Sequence, residues 1–408
     1  MLNGKIKLGG DKSISHRIVI FGALSSGICI IKNLSDCEDV KKTINILKAC
    51  NITIQNNEIT TVEGGKLLSN IKEYNCGNSG STARFMLGLL PSHGVNGRLY
   101  GDRSLSSRPM NRVIEPLTQM GIIIDNTNNQ LPVTFQKSNI KAITYTLQIP
   151  SAQVKTALIF AALSCNDKSY INDPFNTRDH TERILQYLGH RESSFYKLKI
   201  PSFNYTVPGD ISSAAFIISA AILIPDSNVT IKNLLFNNTR TGYIKILKKM
   251  GANIEIYNQR ISYNEPIADI KIKYTKKLKG IHLTKDLVVS MIDEIPIFAL
   301  VASFAKGTTI VEGAEELRYK ESDRIKSMVN NLKICNVDII ETSDGFIIND
   351  SKILYNTSIK IKNDHRIAMA FEILKLILNG EISKQVDEIP VIKTSFPEFY
   401  ETIRNLNE

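Results

Sequence analysis

The chain has 408 residues, 43% hydrophobic and 22% charged, with a formal net charge of +10; this is ordinary globular composition, long enough for two or more domains with their own cores. The longest apolar run, 214–225, is about half the ~20 residues a membrane span needs, so it reads as a buried helix and no membrane partner is expected. The positive charge admits nucleic acid or small polyanionic substrates, yet the cations are scattered, Trp is absent and no Lys/Arg run interleaves with aromatics.

Near the N-terminus, in Gly9-Gly10-Asp11-Lys12-Ser13-Ile14-Ser15-His16-Arg17, two glycines and an N-cap serine are expected to deliver a lysine and an arginine to a helix start. Unpaired backbone N–H groups and the positive dipole end already favour anions there, and added cations make the position an anion trap. The stretch ends like a P-loop but lacks that motif's glycine spacing. Cys29, Cys37, Cys50, Cys76, Cys165 and Cys335 form no CxxC pair, and no secretory signal precedes them. Free thiols in a reducing cytoplasm are expected, without disulfides or zinc.

The pattern of the first helix recurs. Small-residue, apolar helices open at Ser13, Gly80, Ser151, Asp210, Asp293 and Asp364, advancing by 67, 71, 59, 83 and 71 residues. They are expected over 13–27, 80–90, 151–164, 210–224, 293–306 and 364–378. Between them run amphipathic helices ending at Asn51, Gly121, Gly189, Gly251 and Asn336, four of them followed by β-branched strands; the 185–189 copy is partial. Each unit therefore holds two helices and several short strands, and the fold class is α/β. Capping residues would recur under simple structural duplication. The cations Arg17, Arg84, Lys155 and Arg366 oppose the dipole of their own helices, and a shared anionic ligand would offset that cost.

Three further charged stretches stand out. In 101–110 a glycine- and serine-rich loop is expected to enter a helix with Pro109 at N1, leaving Arg108 at an anion position. In 176–183, Asp179, His180 and Glu182 are metal-ligand types without a second histidine at ligand spacing; capping by Asn176 or Thr177 with Arg178 exposed is the other reading. In 316–324, Lys320 and Arg324 share a face if the segment is helical, with Glu321 beside it as a proton-transfer group; a salt-bridged, solvated helix start is the alternative. His93, His190 and His282 stand alone and read as structural or surface residues.

Together these stretches resemble the 5-enolpyruvylshikimate-3-phosphate (EPSP) synthase family, 3-phosphoshikimate 1-carboxyvinyltransferases. The matching segments are 10–17, 77–84, 101–110, 151–155, 178–182, 208–215, 293–296, 320–324, 364–369 and Ser395-Phe396-Pro397, in family order. Residues 10–17 and 151–155 are spelled as in the class II bacterial branch. The resemblance implies an enolpyruvyl transferase inside-out α/β barrel: two domains, each of three βαβαββ units about a pseudo-threefold axis, with the active site in the interdomain cleft. The chain would cross twice, giving one domain of about 12–208 and another of 1–11 plus 209–408.

The implied reaction moves the enolpyruvyl group of phosphoenolpyruvate to the 5-hydroxyl of shikimate 3-phosphate, through a tetrahedral adduct that loses phosphate. It needs fixed cations and proton carriers, no metal and no cofactor, and the family is usually monomeric. By resemblance Lys12 touches both substrates and assists proton transfer, Asp293 takes the 5-hydroxyl proton and Glu321 serves C3. Ser13, Arg17, Ser151, Ala152, Gln153, Arg178, Asp293 and Lys320 would hold shikimate 3-phosphate. Asn78, Gly80, Arg108, Gln153, Arg324 and Arg366 would surround phosphoenolpyruvate. Gly80, where some herbicide-insensitive relatives carry alanine, implies glyphosate sensitivity. One departure is Thr394, where many relatives carry a phosphate-contacting lysine; Lys393 stands beside it. The rivals are the sister transferase acting on UDP-N-acetylglucosamine and a nucleic-acid-binding protein on a related repeat fold. The sister enzyme uses asparagine after the first lysine and a loop cysteine; here Ser13 follows Lys12, and 101–110 holds no cysteine.

Overall fold

The computed structural model describes all residues except 70, 127, 355, 357, 384–387 and 408. The chain forms two compact units, Gly10–Val207 and Met1–Gly9 with Pro208–Glu408. Among the described residues no helix is long and apolar enough to cross a membrane.

One sheet plan recurs. In the Gly10–Val207 unit, Glu73–Asn75 pairs in parallel with Gly97–Tyr100, which pairs antiparallel with Val133–Gln136 and through it with Ile123–Asp125. Parallel neighbours need a crossover, and the helix Gly80–Ser92 supplies it. Thr144–Thr146 and Ser169–Asn172 repeat the plan around the helix Ala152–Ala162, with the hairpin reduced to the single strand Ser194–Phe195. In the other unit, His282–Leu283 and Thr309–Val311 flank the helix Ile295–Ala302, and Phe346–Ile348 and Ile339–Glu341 complete that sheet.

The two chain crossings exchange strands. Asn3–Lys7 precedes the helix Lys12–Ala23 in sequence but pairs with Asn228–Leu235 in its own unit. Asn204–Thr206 precedes the helix Ile211–Leu223 but pairs with Ile28–Lys32. Each crossing thus leaves its strand in one unit and its helix in the other.

Six helices begin at Lys12, Gly80, Ala152, Ile211, Ile295 and His365. The fifth is shorter than its apolar run suggested, ending at Ala302 after a 3-10 turn over Ile292–Glu294. Five are capped by the side chains of Asp11, Ser79, Ser151, Asp210 and Asp364, each accepting a bond from a backbone N–H within the first turn. These helices lack a polar face and are buried almost all round, as apolar small-residue sequences require. In the Gly10–Val207 unit each of three contributes a phenylalanine to the centre: Phe160 lies 5.4 Å from Phe21 and 5.8 Å from Phe85. Gly88 permits the closest approach, since a Cβ there would stand 2.2 Å from the Ala157 carbonyl oxygen.

The amphipathic helices Glu38–Ala49, Asn111–Gln119, His180–Tyr187, Gly242–Lys249 and Arg324–Ile334 lie outside these. Each is followed by a left-handed residue: Asn51, Gly121, Gly189, Gly251 and Asn336, at φ 64°, 91°, 99°, 99° and 63°. Glycine and asparagine tolerate that region, so the stop signals seen in the sequence are backbone requirements.

Candidate functional site

In the Gly10–Val207 unit, candidate residues gather at the N-terminal ends of the three central helices. Lys12 opens the first, its Nζ 2.9 Å from Asp39 Oδ2. Arg17, one turn on and buried, bends back to the helix start. It donates to the Ser13 carbonyl (2.7 Å), Thr156 Oγ1 (2.8 Å) and Thr181 Oγ1 (2.8 Å), with its guanidinium 4.7 Å from the Phe85 ring centre. Arg178 donates to Ser13 Oγ at 3.3 Å. At the second helix, Asn78 receives a bond from Arg108 and donates to Asp102 Oδ2 at 2.6 Å. Gly80 faces two guanidinium groups: a Cβ there would meet Arg84 Nη1 at 2.6 Å and Arg108 Nη1 at 3.4 Å. Gln153 joins the second and third helices, accepting from Arg84 Nη1 (3.0 Å) and donating to Ser81 Oγ (3.0 Å). Ser151 caps the third helix, and Ala152 is its first residue.

His16 lies between these cations, fully buried, with Nδ1 2.8 Å from Thr43 Oγ1. Burial, with Lys12 and Arg17 nearby, pushes its pKa well down, so it is a neutral spacer within a cationic turn.

The other unit collects carboxylates around buried cations. Asp293 Oδ1 lies 3.7 Å from Lys320 Nζ and 3.7 Å from Arg324 Nη1. Arg324, only 2% exposed, donates to Glu321 Oε2 at 2.6 Å and grips Asp364 through Nε (2.9 Å) and Nη2 (3.2 Å). Asp364 also caps the helix His365–Asn379 through the Arg366 N–H (3.0 Å) and accepts from Ser322 Oγ (2.9 Å). Arg366 Nη1 stands 3.9 Å from Glu294 Oε1, which accepts from Ser212; Arg240 donates to that same serine at 2.9 Å. Burial lowers the Lys320 pKa; Asp293 opposes the shift and Arg324 adds to it. Lys393 is exposed and closes the 3-10 turn Pro390–Thr394 with Thr394.

Several local expectations are corrected. Lys320 and Arg324 are not on one helix: Glu315–Tyr319 is a 3-10 turn, Lys320 is extended, and a new helix capped by Asp323 starts at Arg324. They still reach one carboxylate. Pro109 does not stand at N1, because the helix Asn111–Gln119 begins after it and the short helix Arg103–Ser106 fills the loop. Neither Asn176 nor Thr177 caps the next helix, which begins at His180, and Arg178 is half-buried rather than exposed. Asp179 pairs with Arg183 (2.8 Å) and Glu182 with Lys155 (2.7 Å). Among the described residues no group of three or more His, Cys, Asp or Glu is placed to hold a metal ion. His93, by contrast, is structural as expected, bonded to the Leu89 carbonyl (2.9 Å) and lowered by burial to about 4.

Sequence reading missed the partners. Asp39 at Lys12 and Thr156 at Arg17 lie outside every motif, and Thr181 at Arg17 and Asp102 at Asn78 lie within matched segments without being singled out. The Asp364 cap was visible, but its grip on Arg324 was not, because residues 40 apart are joined only by folding.

The family model described as EPSP synthase (3-phosphoshikimate 1-carboxyvinyltransferase) matches residues 1–403. The 3-phosphoshikimate 1-carboxyvinyltransferase of Oceanobacillus iheyensis is 41% identical, covering 99% of this chain and 97% of its own. That of Persephonella marina is 39% identical with the same coverage. The EPSP synthase structure from Acinetobacter baumannii superposes with a TM-score of 0.85 at 37% identity, over 99% of this chain and 96% of the other. The enolpyruvyl transferase NikO from Streptomyces tendae, at a TM-score of 0.74 and 16% identity over 99% and 95%, shares the fold. Matched along nearly its whole length, the chain belongs to the EPSP synthase family.

Proposed function

We propose that two clusters of side chains, one on each unit, divide the work of the family's reaction between them. That reaction is transfer of the enolpyruvyl group from phosphoenolpyruvate to the 5-hydroxyl of shikimate 3-phosphate, with release of phosphate, and this chain carries it out. Lys12, Ser13, Arg17, Ser151, Ala152, Gln153 and Arg178 hold shikimate 3-phosphate, together with Lys320 and Asp293. Asn78, Gly80, Arg108, Gln153, Arg324 and Arg366 hold phosphoenolpyruvate, and Lys12 serves both.

The chemistry follows from the charges. As the 5-oxygen attacks C2, its proton passes to Asp293, and Glu321 delivers a proton to C3. In the second step phosphate leaves with the proton that Asp293 took from the hydroxyl, and Glu321 recovers a proton from C3, so both carboxyl groups return to their starting states. The fixed guanidinium and ammonium groups stabilise the charge that develops on the departing phosphate. One observation carries this assignment: Asp293 stands between Lys320 and Arg324 at 3.7 Å each, while Arg324 also holds Glu321 at 2.6 Å. Two proton carriers thus share one positioned cation.

The assay is phosphate release from phosphoenolpyruvate with and without shikimate 3-phosphate, on wild type and Asp293→Ala. Release that depends on shikimate 3-phosphate and is lost in the variant supports the reading; near-normal turnover in the variant refutes Asp293 as the base.

The six cysteines are free and buried, which supports a reducing compartment, and we place the enzyme in the cytoplasm as a monomer acting on small molecules without nucleic acid. Sedimentation at assay concentrations tests the oligomeric state.

A further inference from the structure

Lys155 is a first-turn cation that the substrate assignments leave without a task. It is the fourth residue of the helix Ala152–Ala162, where the repeat pattern suggests an anion ligand. Its ammonium is committed elsewhere: only 4% exposed, it lies 2.9 Å from Asp173 Oδ2 and 2.7 Å from Glu182 Oε1. Burial alone would push the lysine pKa down, but Glu182 and Asp173 outweigh it and the net shift is upward. The cation is therefore permanent at working pH.

Both carboxylates lead to the substrate arginines. Asp173 Oδ2 also accepts from the Thr177 N–H (2.9 Å) and hydroxyl (2.6 Å), and Oδ1 accepts from the Phe175 N–H (3.1 Å). These bonds close residues 173–177 into a turn with Asn176 at φ 51°. The next residue is Arg178, which reaches Ser13. Glu182 lies in the first turn of the helix His180–Tyr187, beside Thr181, whose hydroxyl accepts from Arg17 and lies 2.7 Å from that of Thr156. One ammonium therefore pins both ends of the segment that carries Arg178 and a partner of Arg17.

We propose that Lys155, Asp173 and Thr177 are positioning residues for shikimate 3-phosphate, setting Arg178 and Arg17 without touching the substrate. The proposal rests on the assignment of those two arginines to that substrate. The ammonium also neutralises charge: without it, the neighbouring Asp173 and Glu182 carboxylates would lose their shared counter-charge.

The test is steady-state kinetics with each substrate varied in turn, alongside thermal unfolding. Thr177→Val removes one bond to the Asp173 carboxylate, and KM for shikimate 3-phosphate is expected to rise about tenfold while KM for phosphoenolpyruvate stays within about twofold. Lys155→Met shifts the same constant further, and Lys155→Arg restores part of it. If Lys155→Met does not fold, Thr177→Val decides. An unchanged KM for shikimate 3-phosphate in Thr177→Val, or equal rises in both constants, overturns the proposal. Arg178→Ala separates the two failures. If it raises that KM while Thr177→Val does not, only the positioning role falls; if it too has no effect, the substrate assignment falls with it.

Discussion

Arg324→Lys keeps the charge and removes the geometry. The guanidinium makes three bonds from two nitrogens, to Asp364 at 2.9 and 3.2 Å and to Glu321 at 2.6 Å, while its third nitrogen stands 3.7 Å from Asp293. A lysine ammonium is a single point on a flexible stem and cannot span three carboxylates. Losing two charge-assisted bonds at a site 2% exposed amounts to about 3 kcal/mol, which expressed in the transition state is roughly a hundredfold in kcat/KM. Burial opposes the charge on Arg324, but Asp364 and Glu321 more than offset it and hold its pKa above the ordinary guanidinium value. The charge is thus constant with pH, and so is the expected defect. Phosphate release at saturating shikimate 3-phosphate, with phosphoenolpyruvate varied, measures it; thermal unfolding establishes that the variant is folded at assay temperature. A folded variant within about threefold of wild-type kcat/KM would refute the reasoning, since one ammonium would then suffice.

Gly80→Ala would push the new methyl against Arg84 Nη1, 2.6 Å away. That atom ends a flexible side chain, so the fold survives while the anion site changes; KM for phosphoenolpyruvate should rise about tenfold by overpacking, with KM for shikimate 3-phosphate unaltered. Wild type should be inhibited by glyphosate competitively with phosphoenolpyruvate, and Gly80→Ala should need more of it; no inhibition of wild type at millimolar levels contradicts this. Lys320, whose pKa burial lowers, loses its charge at a lower pH than an ordinary lysine. Affinity for shikimate 3-phosphate should therefore be full below that lowered value and fall as pH rises through it, whereas Lys320→Arg moves the decline to higher pH; superimposable alkaline limbs would count against the assignment.

Local features were legible because local chemistry dictates them. Ser151, Asp210 and Asp364 could be read as helix openers from their place before apolar runs, and Asn51, Gly121 and Gly251 as stops from the left-handed backbone each provides; the first helix, expected to be capped by a serine, is capped by Asp11 instead. Pro109 and the 316–324 segment misled for the same reason. Both fit a helix by residue type, while a short helix at 103–106 and the Asp323 cap take precedence. The first-turn cations were read as one class and divide into two: Arg17 and Arg84 reach carbonyls of their own helix starts, whereas Lys155 is bound by Asp173 and Glu182. Spacing places a side chain on a helix face but does not say which distant carboxylate meets it.

By itself the sequence determined the α/β class, the recurrence of six apolar helices and the residues that carry family chemistry. These depend on periodicity, turn residues and motif order, all written along the chain. Only the tertiary structure decided which strands Asn3–Lys7 and Asn204–Thr206 pair with, that Asp364 holds Arg324 across 40 residues, and that Lys155 is bound by Asp173 and Glu182. Those outcomes rest on contacts between distant segments, where buried charge must find a partner and backbone edges must be paired, conditions that exist only once the core has formed.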